Sequence, residues 1–148
     1  VAETVALIPV DPTNVGHVQF LYSLVLEREP GTWISTKEPP SYHTHAYFVT
    51  HHPYRYWWII EQGGNLIGSL YFGNDNSIGV AIAKRFQRRR FAFIAIKMAM
   101  SAHPPLPGIP SVRPACYVAN VAPHNQASAE LFEKLGFKLL QMTYGREQ

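Results

Sequence analysis

Acidic side chains are absent from the middle of this sequence: none occurs between Asp75 and Glu130. The same stretch carries Lys84, Arg85, Arg88, Arg89, Arg90, Lys97 and Arg113. A basic field of this kind attracts phosphates, on a nucleotide cofactor or on nucleic acid, unless it is only a solvated face that keeps the chain soluble. Cysteine is nearly absent as well. Cys116 stands alone, which excludes an intrachain disulfide and makes a reducing cytoplasm the expected setting. There is no run of about 18 uncharged apolar residues, so no transmembrane helix is expected. The first residues show no basic segment followed by an apolar run and a small-residue cleavage site, so nothing points to secretion. Internal repeats and low-complexity tracts are missing too. What is there is 148 residues with 47% apolar and 16% charged side chains, enough apolar material for the core of one domain over residues 1–148.

Prolines punctuate the chain. Pro39-Pro40 and the run from Pro104 to Pro110 read as loops, because proline stops helices and cannot donate to a central strand. Residues 5–10 read as a first strand. Asp11-Pro12-Thr13 offers a helix start, and Val15, Val18, Leu21, Tyr22 and Val25 recur at helical spacing to about Arg28, before Pro30-Gly31. Ser41 is placed to cap a short helix over residues 42–49. Aromatic and β-branched residues at 54–61 read as a strand, Gly63-Gly64-Asn65 as a hairpin turn, and 66–72 as its return strand. A turn at Gly73-Asn74-Asp75-Asn76 leads to a strand at 77–83, then a long helix from about Arg88 to Ala102. A short buried strand is expected at 115–119, a helix from Asn125 closed by Gly136, and a last strand at 137–142. The order β-α-α-β-β-β-α-β-α-β is that of an α/β protein with a mixed sheet.

Two segments carry chemistry. In the first, Val80-Ala81-Ile82 is followed by Gln87-Arg88-Arg89-Arg90-Phe91-Ala92 opening a helix. A helix N-terminus exposes unpaired N–H groups and a positive dipole end, so a pyrophosphate placed there meets backbone donors. Three arginines at the same place add charge and bidentate donors; in plain solvent, cations at a helix start are mildly unfavourable. The second segment holds Asn120, then Asn125-Gln126-Ala127-Ser128, then Leu131-Phe132-Glu133-Lys134-Leu135-Gly136-Phe137. Asn125 can cap the helix and still present a polar group.

Together these segments resemble the two cofactor motifs of the GNAT family, the acetyl-CoA-dependent N-acetyltransferases. The first is similar to its strand followed by Q/R-x-x-G-x-G/A, the second to its N-x-x-S-…-L-(Y/F)-x-K-x-G-F. The resemblance implies a mixed, mostly antiparallel central sheet with helices on both faces and two splayed parallel strands at the cofactor site. It implies acetyl-CoA as acyl donor, with its pantetheine arm against Val80, Ala81 and Ile82. Its pyrophosphate would lie on Gln87, Arg88, Arg89, Arg90, Phe91 and Ala92, and Asn120, Asn125 and Ser128 would line the arm. A backbone N–H near Val80 to Ile82 would stabilise the oxyanion.

Two positions depart from the family pattern. Arg90 stands where the motif has its central glycine, and Phe132 where many members carry a tyrosine that protonates the leaving thiolate. Tyr144, Ser128 or a water is the expected substitute acid. Glu61, His51, His52 and Asp75 are the candidates for the base that deprotonates the acceptor, with Glu61 taken first.

His43, His45, His51 and His52 lack the H-E-x-x-H spacing or cysteine partners of a metal site, so no metal is expected. Tyr54, Tyr56, Trp57 and Trp58 alternate between two faces of a strand, one of which must be core. The arginines sit at one helix start with no aromatic interleaving, which sets nucleic acid aside as a partner. Trp33, Ser35, His45, the Trp57-Trp58 strand and Ile67-Gly68-Ser69 are loosely similar to the branch acting on protein N-termini and amino-sugar nucleotides. The expected function is acetyl transfer to a primary amine, with an amino-sugar nucleotide slightly preferred to a protein N-terminus. The alternative is a catalytically impaired acyl-CoA-binding or partner-docking module. A homodimer that covers a sheet edge is a further expectation.

Overall fold

The computed structural model describes residues 4–28 and 38–146. In chain order the elements are β1 (Ala6–Pro9), α1 (Val15–Leu26), α2 (Tyr42–Thr50), β2 (Tyr56–Gln62), β3 (Asn65–Phe72), β4 (Ile78–Ile82), a 3-10 turn (Lys84–Phe86), α3 (Phe91–Ala102) and α4 (Gln126–Lys134). Trp33 and Ser35, and the helix stop at Pro30-Gly31, lie outside the described residues.

Local chemistry explains most of these boundaries. Gly63 and Gly64 both take left-handed φ, 57° and 82°, which lets two residues close the β2–β3 hairpin with the twist of the flanking strands. Asn14 caps α1, its side chain accepting from the His17 N–H, so the helix starts three residues later than Asp11 suggested. Asp11 instead holds the preceding turn, accepting from the Thr13 N–H at 2.9 Å and the Thr13 hydroxyl at 2.7 Å. Ser41 caps α2 through the Thr44 N–H, and Gly136, at φ 92°, ends α4.

The four strands form one antiparallel sheet in the order β1-β2-β3-β4. On one face, Trp58 and Ile60 of β2, Leu70 and Phe72 of β3 and Ile78 of β4 bury against Phe91, Ala95, Ile96 and Ala99 of α3 and Phe132 of α4. On the other face Ile59 packs with Val18, Leu21 and Leu24 of α1 and Val49 of α2. A register shift at Ile60/Glu61 leaves Ile67 as an extra residue in β3. That bulge places Ile67 in the same core layer as Leu70 and Phe72 despite its odd spacing. The mixed α/β architecture with helices on both faces is thus present.

Three local expectations are corrected. The strand at residues 115–119 is reduced to a single parallel bridge between Ser77 and Val118. Its neighbours run as irregular chain, and Cys116, expected to be buried there, is exposed. The strand at 137–142 does not form, because among the described residues no sheet edge pairs with it; Leu139, Leu140 and Met142 are 60–74% exposed. The third concerns α3, which begins at Phe91 rather than Arg88. Arg88 and Arg90 take left-handed φ of 63° and 66°, which no α-helix accommodates.

Candidate active site

The candidate site lies where β4 parts from the segment after the proline loop. The Ile78 N–H donates to the Val118 carbonyl at 2.8 Å, and the Val118 N–H donates to the Asn76 carbonyl at 2.9 Å. These bonds lie on the edge of β4 away from β3. Backbone groups alternate direction along a strand, so Val80 and Ile82 also point their polar groups to that outer edge. The Ile82 carbonyl accepts from the Gln87 side-chain amide at 2.9 Å. Between the Val118 bridge and Gln87, the polar groups of Val80 face the opening.

Gln87 therefore turns back to β4 instead of outward, and fixes the start of the arginine loop. The chain then passes through Arg88 and Arg90 in left-handed conformation and enters α3. Asn14, Ser41 and Asn125 cap α1, α2 and α4, whereas no side chain caps α3. Its first internal bond runs from the Ile94 N–H to the Arg90 carbonyl, so the N–H groups of Phe91, Ala92 and Phe93 have no partner within the helix. Arg88, Arg89 and Arg90 are exposed around them. The guanidinium of Arg90 lies over the Phe93 ring at 4.8 Å and that of Arg89 over Phe91 at 5.0 Å. Arg90 thus keeps the backbone that glycine would adopt freely, and its side chain folds along the helix surface.

Across the opening, Asn120 is exposed, and Asn125 Oδ1 accepts from the Ser128 N–H at 3.2 Å. Ser128 is half-buried in the first turn of α4. Phe132, one turn further on, is buried against Phe137, so the family's tyrosine position is here part of the core.

The candidate acid and bases are scattered. Tyr144 is 88% exposed, and its hydroxyl reaches only Met142 Sδ, at 3.5 Å. Glu61 is half-buried on β2, one step beyond the row Ile60–Gly68–Ile82 and two strands from β4, roughly 10 Å at the usual strand spacing. Asp75 is at the opposite end of β4, in the turn before it. Burial alone would raise its pKa, but hydrogen bonds from the Ser77 hydroxyl and N–H outweigh this and hold it below the usual carboxylate range. His51 is exposed and stacks on Tyr47. His52 is half-buried, and burial lowers its pKa. Its Nδ1 accepts from the Tyr54 N–H at 3.2 Å, which assigns the proton of the neutral ring to Nε2.

Tyr54 and Trp57, two of the aromatic positions singled out in the sequence, and His52 join a larger cluster whose other members the sequence did not mark. Phe48, His52, Tyr54, Trp57 and Tyr71 form a continuous aromatic cluster on the face that α1 and α2 cover. Tyr54 and Tyr71 stack at 3.9 Å. Burial pushes the Tyr54 hydroxyl up to about 12 and raises that of Tyr71, so both stay protonated at neutral pH. Tyr71 in turn lies flat on the backbone of Gly79, its register partner: a Cβ there would fall 1.9 Å from Tyr71 Cε2. The cluster therefore reaches β4 one residue before Val80. A glycine on β4 opposite a tyrosine on β3 is the only trace of this contact in the chain itself.

The sequence profile described as the acetyltransferase (GNAT) family matches residues 18–137. The chain belongs to that family. It is an acetyltransferase by family, and solved structures of the same fold hold coenzyme A or acetyl-CoA, consistent with an acetyl-CoA donor. No curated protein matches the chain by sequence. Solved structures share its fold at low identity. A ribosomal-protein alpha-N-acetyltransferase in complex with coenzyme A is 19% identical, with a TM-score of 0.71 over 95% of this chain and 84% of that one. An acetyltransferase from Thermus thermophilus is 18% identical, with a TM-score of 0.68 over 93% of this chain and 89% of that one. A microcin self-immunity acetyltransferase in complex with acetyl-CoA and AMP is 14% identical, with a TM-score of 0.66 over 90% of this chain and 78% of that one.

Proposed function

We propose that the protein transfers the acetyl group of acetyl-CoA to a primary amine carried beside a flat or apolar group, an amino-sugar nucleotide before a protein N-terminus. The observation that carries this reading is the aromatic cluster that ends on Gly79, next to the outward-facing polar groups of Val80. A nucleobase, or an apolar side chain following a free N-terminus, would stack on its exposed rim at Phe48. Among proteins of similar fold, one is solved in complex with acetyl-CoA and AMP, a nucleotide, and another is a ribosomal-protein alpha-N-acetyltransferase, in line with these two acceptor classes.

The residues present fit the donor. The uncapped N-terminus of α3 offers the N–H groups of Phe91, Ala92 and Phe93 to a pyrophosphate, with Arg88, Arg89 and Arg90 around it. Val80, Ala81 and Ile82 would flank the pantetheine arm, with Gln87 bracing Ile82 and Asn120, Asn125 and Ser128 on the opposite wall. Bound acetyl-CoA supplies a thioester carbonyl that a neutral amine attacks. The Val80 N–H is the donor placed to hold the oxyanion. Glu61 is the first carboxylate to test as the base; Asp75, whose pKa is lowered by its bonds from Ser77, is the weaker base. Ser128, one helical turn before Phe132, and the exposed Tyr144 are the substitute acids to test.

The test is release of free coenzyme A thiol from acetyl-CoA in the presence of amino-sugar nucleotides, peptides with free N-termini and polyamines. Acceptor-dependent release with the first two classes is the expected result. Absence of acetyl-CoA binding at millimolar concentration would refute the site. Binding without release for any amine would favour an acyl-CoA-binding module, the reading that the buried Phe132 supports.

A further inference from the structure

Asn76 is the last residue of the β3–β4 turn, fully buried and in left-handed conformation at φ 67°. Its side chain is completely used. Nδ2 donates to the Leu106 carbonyl at 2.9 Å and to the Pro114 carbonyl at 2.8 Å, and Oδ1 accepts from the Leu106 N–H at 2.8 Å. Leu106 and Pro114 lie near the two ends of the proline loop, which has no strand or helix of its own. The main chain of the same residue accepts from the Val118 N–H, the first half of the parallel bridge that joins β4 to the opposite wall. Only Asn combines tolerance of this φ with an amide short enough to make these bonds.

No ladder continues beyond that bridge among the described residues. The wall that runs from Val118 to Asn120 is placed relative to Val80 by one bridge, by the loop that precedes it and by the packing of Tyr117 and Ala119 on the core; Asn76 joins the first two, accepting one of the bridge's two bonds and tying Leu106 to Pro114 in the loop. We infer that Asn76 is a positioning residue for acetyl transfer: it sets the width of the gap between β4 and residues 118–120 and thereby the affinity for acetyl-CoA. The inference rests on the reading of that gap as the donor site. Asn74, two residues earlier, makes a comparable bond in the same turn, from Nδ2 to the Pro53 carbonyl at 3.0 Å, but its side chain points away from the proline loop.

The experiment measures acetyl-CoA affinity by calorimetry, and KM for donor and acceptor separately, in wild type, Asn76→Asp, Asn76→Gly and Asn74→Ala. Asn76→Asp replaces two donors with a carboxylate facing two carbonyls. Asn76→Gly keeps the backbone conformation and removes only the amide. Both are expected to weaken acetyl-CoA at least tenfold per folded molecule, with KM for the acceptor unchanged. Asn74→Ala is expected to lower the melting temperature and leave donor affinity as in wild type. Wild-type affinity in folded Asn76→Gly would overturn the inference while leaving the site reading intact. Failure of the wild type itself to bind would remove the site reading instead. Should the Asn76 variants not fold, amide exchange in the wild-type chain decides. The Leu106 and Val118 N–H groups must exchange at matching rates and slow together on adding acetyl-CoA; independent exchange overturns the coupling.

Discussion

Replacing Arg90 by Gly and by Ala separates backbone strain from side-chain chemistry at the start of α3. Both variants lose the guanidinium, and with it the contact over Phe93 at 4.8 Å, worth about 0.5–1 kcal/mol at an exposed site. They differ in one methyl group. At φ 66° a Cβ meets the following carbonyl oxygen, at a cost of roughly 1–2 kcal/mol. Glycine escapes that cost but adds about 0.5–1 kcal/mol of chain entropy to the unfolded state. The balance favours Arg90→Gly over Arg90→Ala by about 0.5–1 kcal/mol, or about 1–4 °C in melting temperature for a chain of this size. In an ordinary helical turn the order is the reverse, with alanine ahead by about 0.5–1 kcal/mol. Urea denaturation of the two variants side by side reads the sign directly. Alanine equal to or more stable than glycine would refute the left-handed conformation. Acetyl-CoA affinity gives a second reading, since both variants carry the same charge. Glycine should bind it more tightly if phosphate approaches the backbone of this loop.

Two further outcomes follow from burial and packing. Gly79→Ala places its Cβ 1.9 Å from Tyr71, whose ring cannot move off without breaking its stack on Tyr54. A loss of about 1–3 kcal/mol is expected, reduced when Tyr71→Ala is added, and strict additivity in the double mutant would disprove the contact. His45 is 4% exposed, its Nε2 has no hydrogen-bond partner among the described residues, and burial lowers its pKa; burial lowers that of His52 in the same direction. The unfolded chain takes up these protons near pH 6.5, before the folded one, so stability should fall as pH drops through about 6.5 toward the lower folded values. Asp11 and Asp75, with lowered pKa values, add losses only near about pH 4 and below. Urea midpoints between about pH 7.5 and 5 should decline in wild type and decline less in His45→Leu; identical slopes would contradict the assignment to His45.

The short-range features of the chain were determined by the sequence alone. Ser41 and Asn125 cap helices, Gly63-Gly64 closes a hairpin and Gly136 ends α4 because each acts on its near neighbours, which are known from the order of the chain. The spacing from Asn125 to Phe137 carried the family for the same reason, since it is one capped helix and its stop. Tertiary structure decided what depends on partners distant in sequence. Residues 115–119 and 137–142 both have strand composition, yet a strand exists only where a neighbouring edge accepts its N–H and C=O groups. Val118 found that edge at Asn76 and Ile78, and Leu139, Leu140 and Met142 did not find one among the described residues. Arginine is a good helix former, so its own propensity does not announce two left-handed residues at Arg88 and Arg90; only the motif's glycine at the Arg90 position hinted at one of them. That conformation is imposed by the path from β4, tethered by Gln87, to an α3 whose position is held by Phe91, Ala95 and Ile96 in the core.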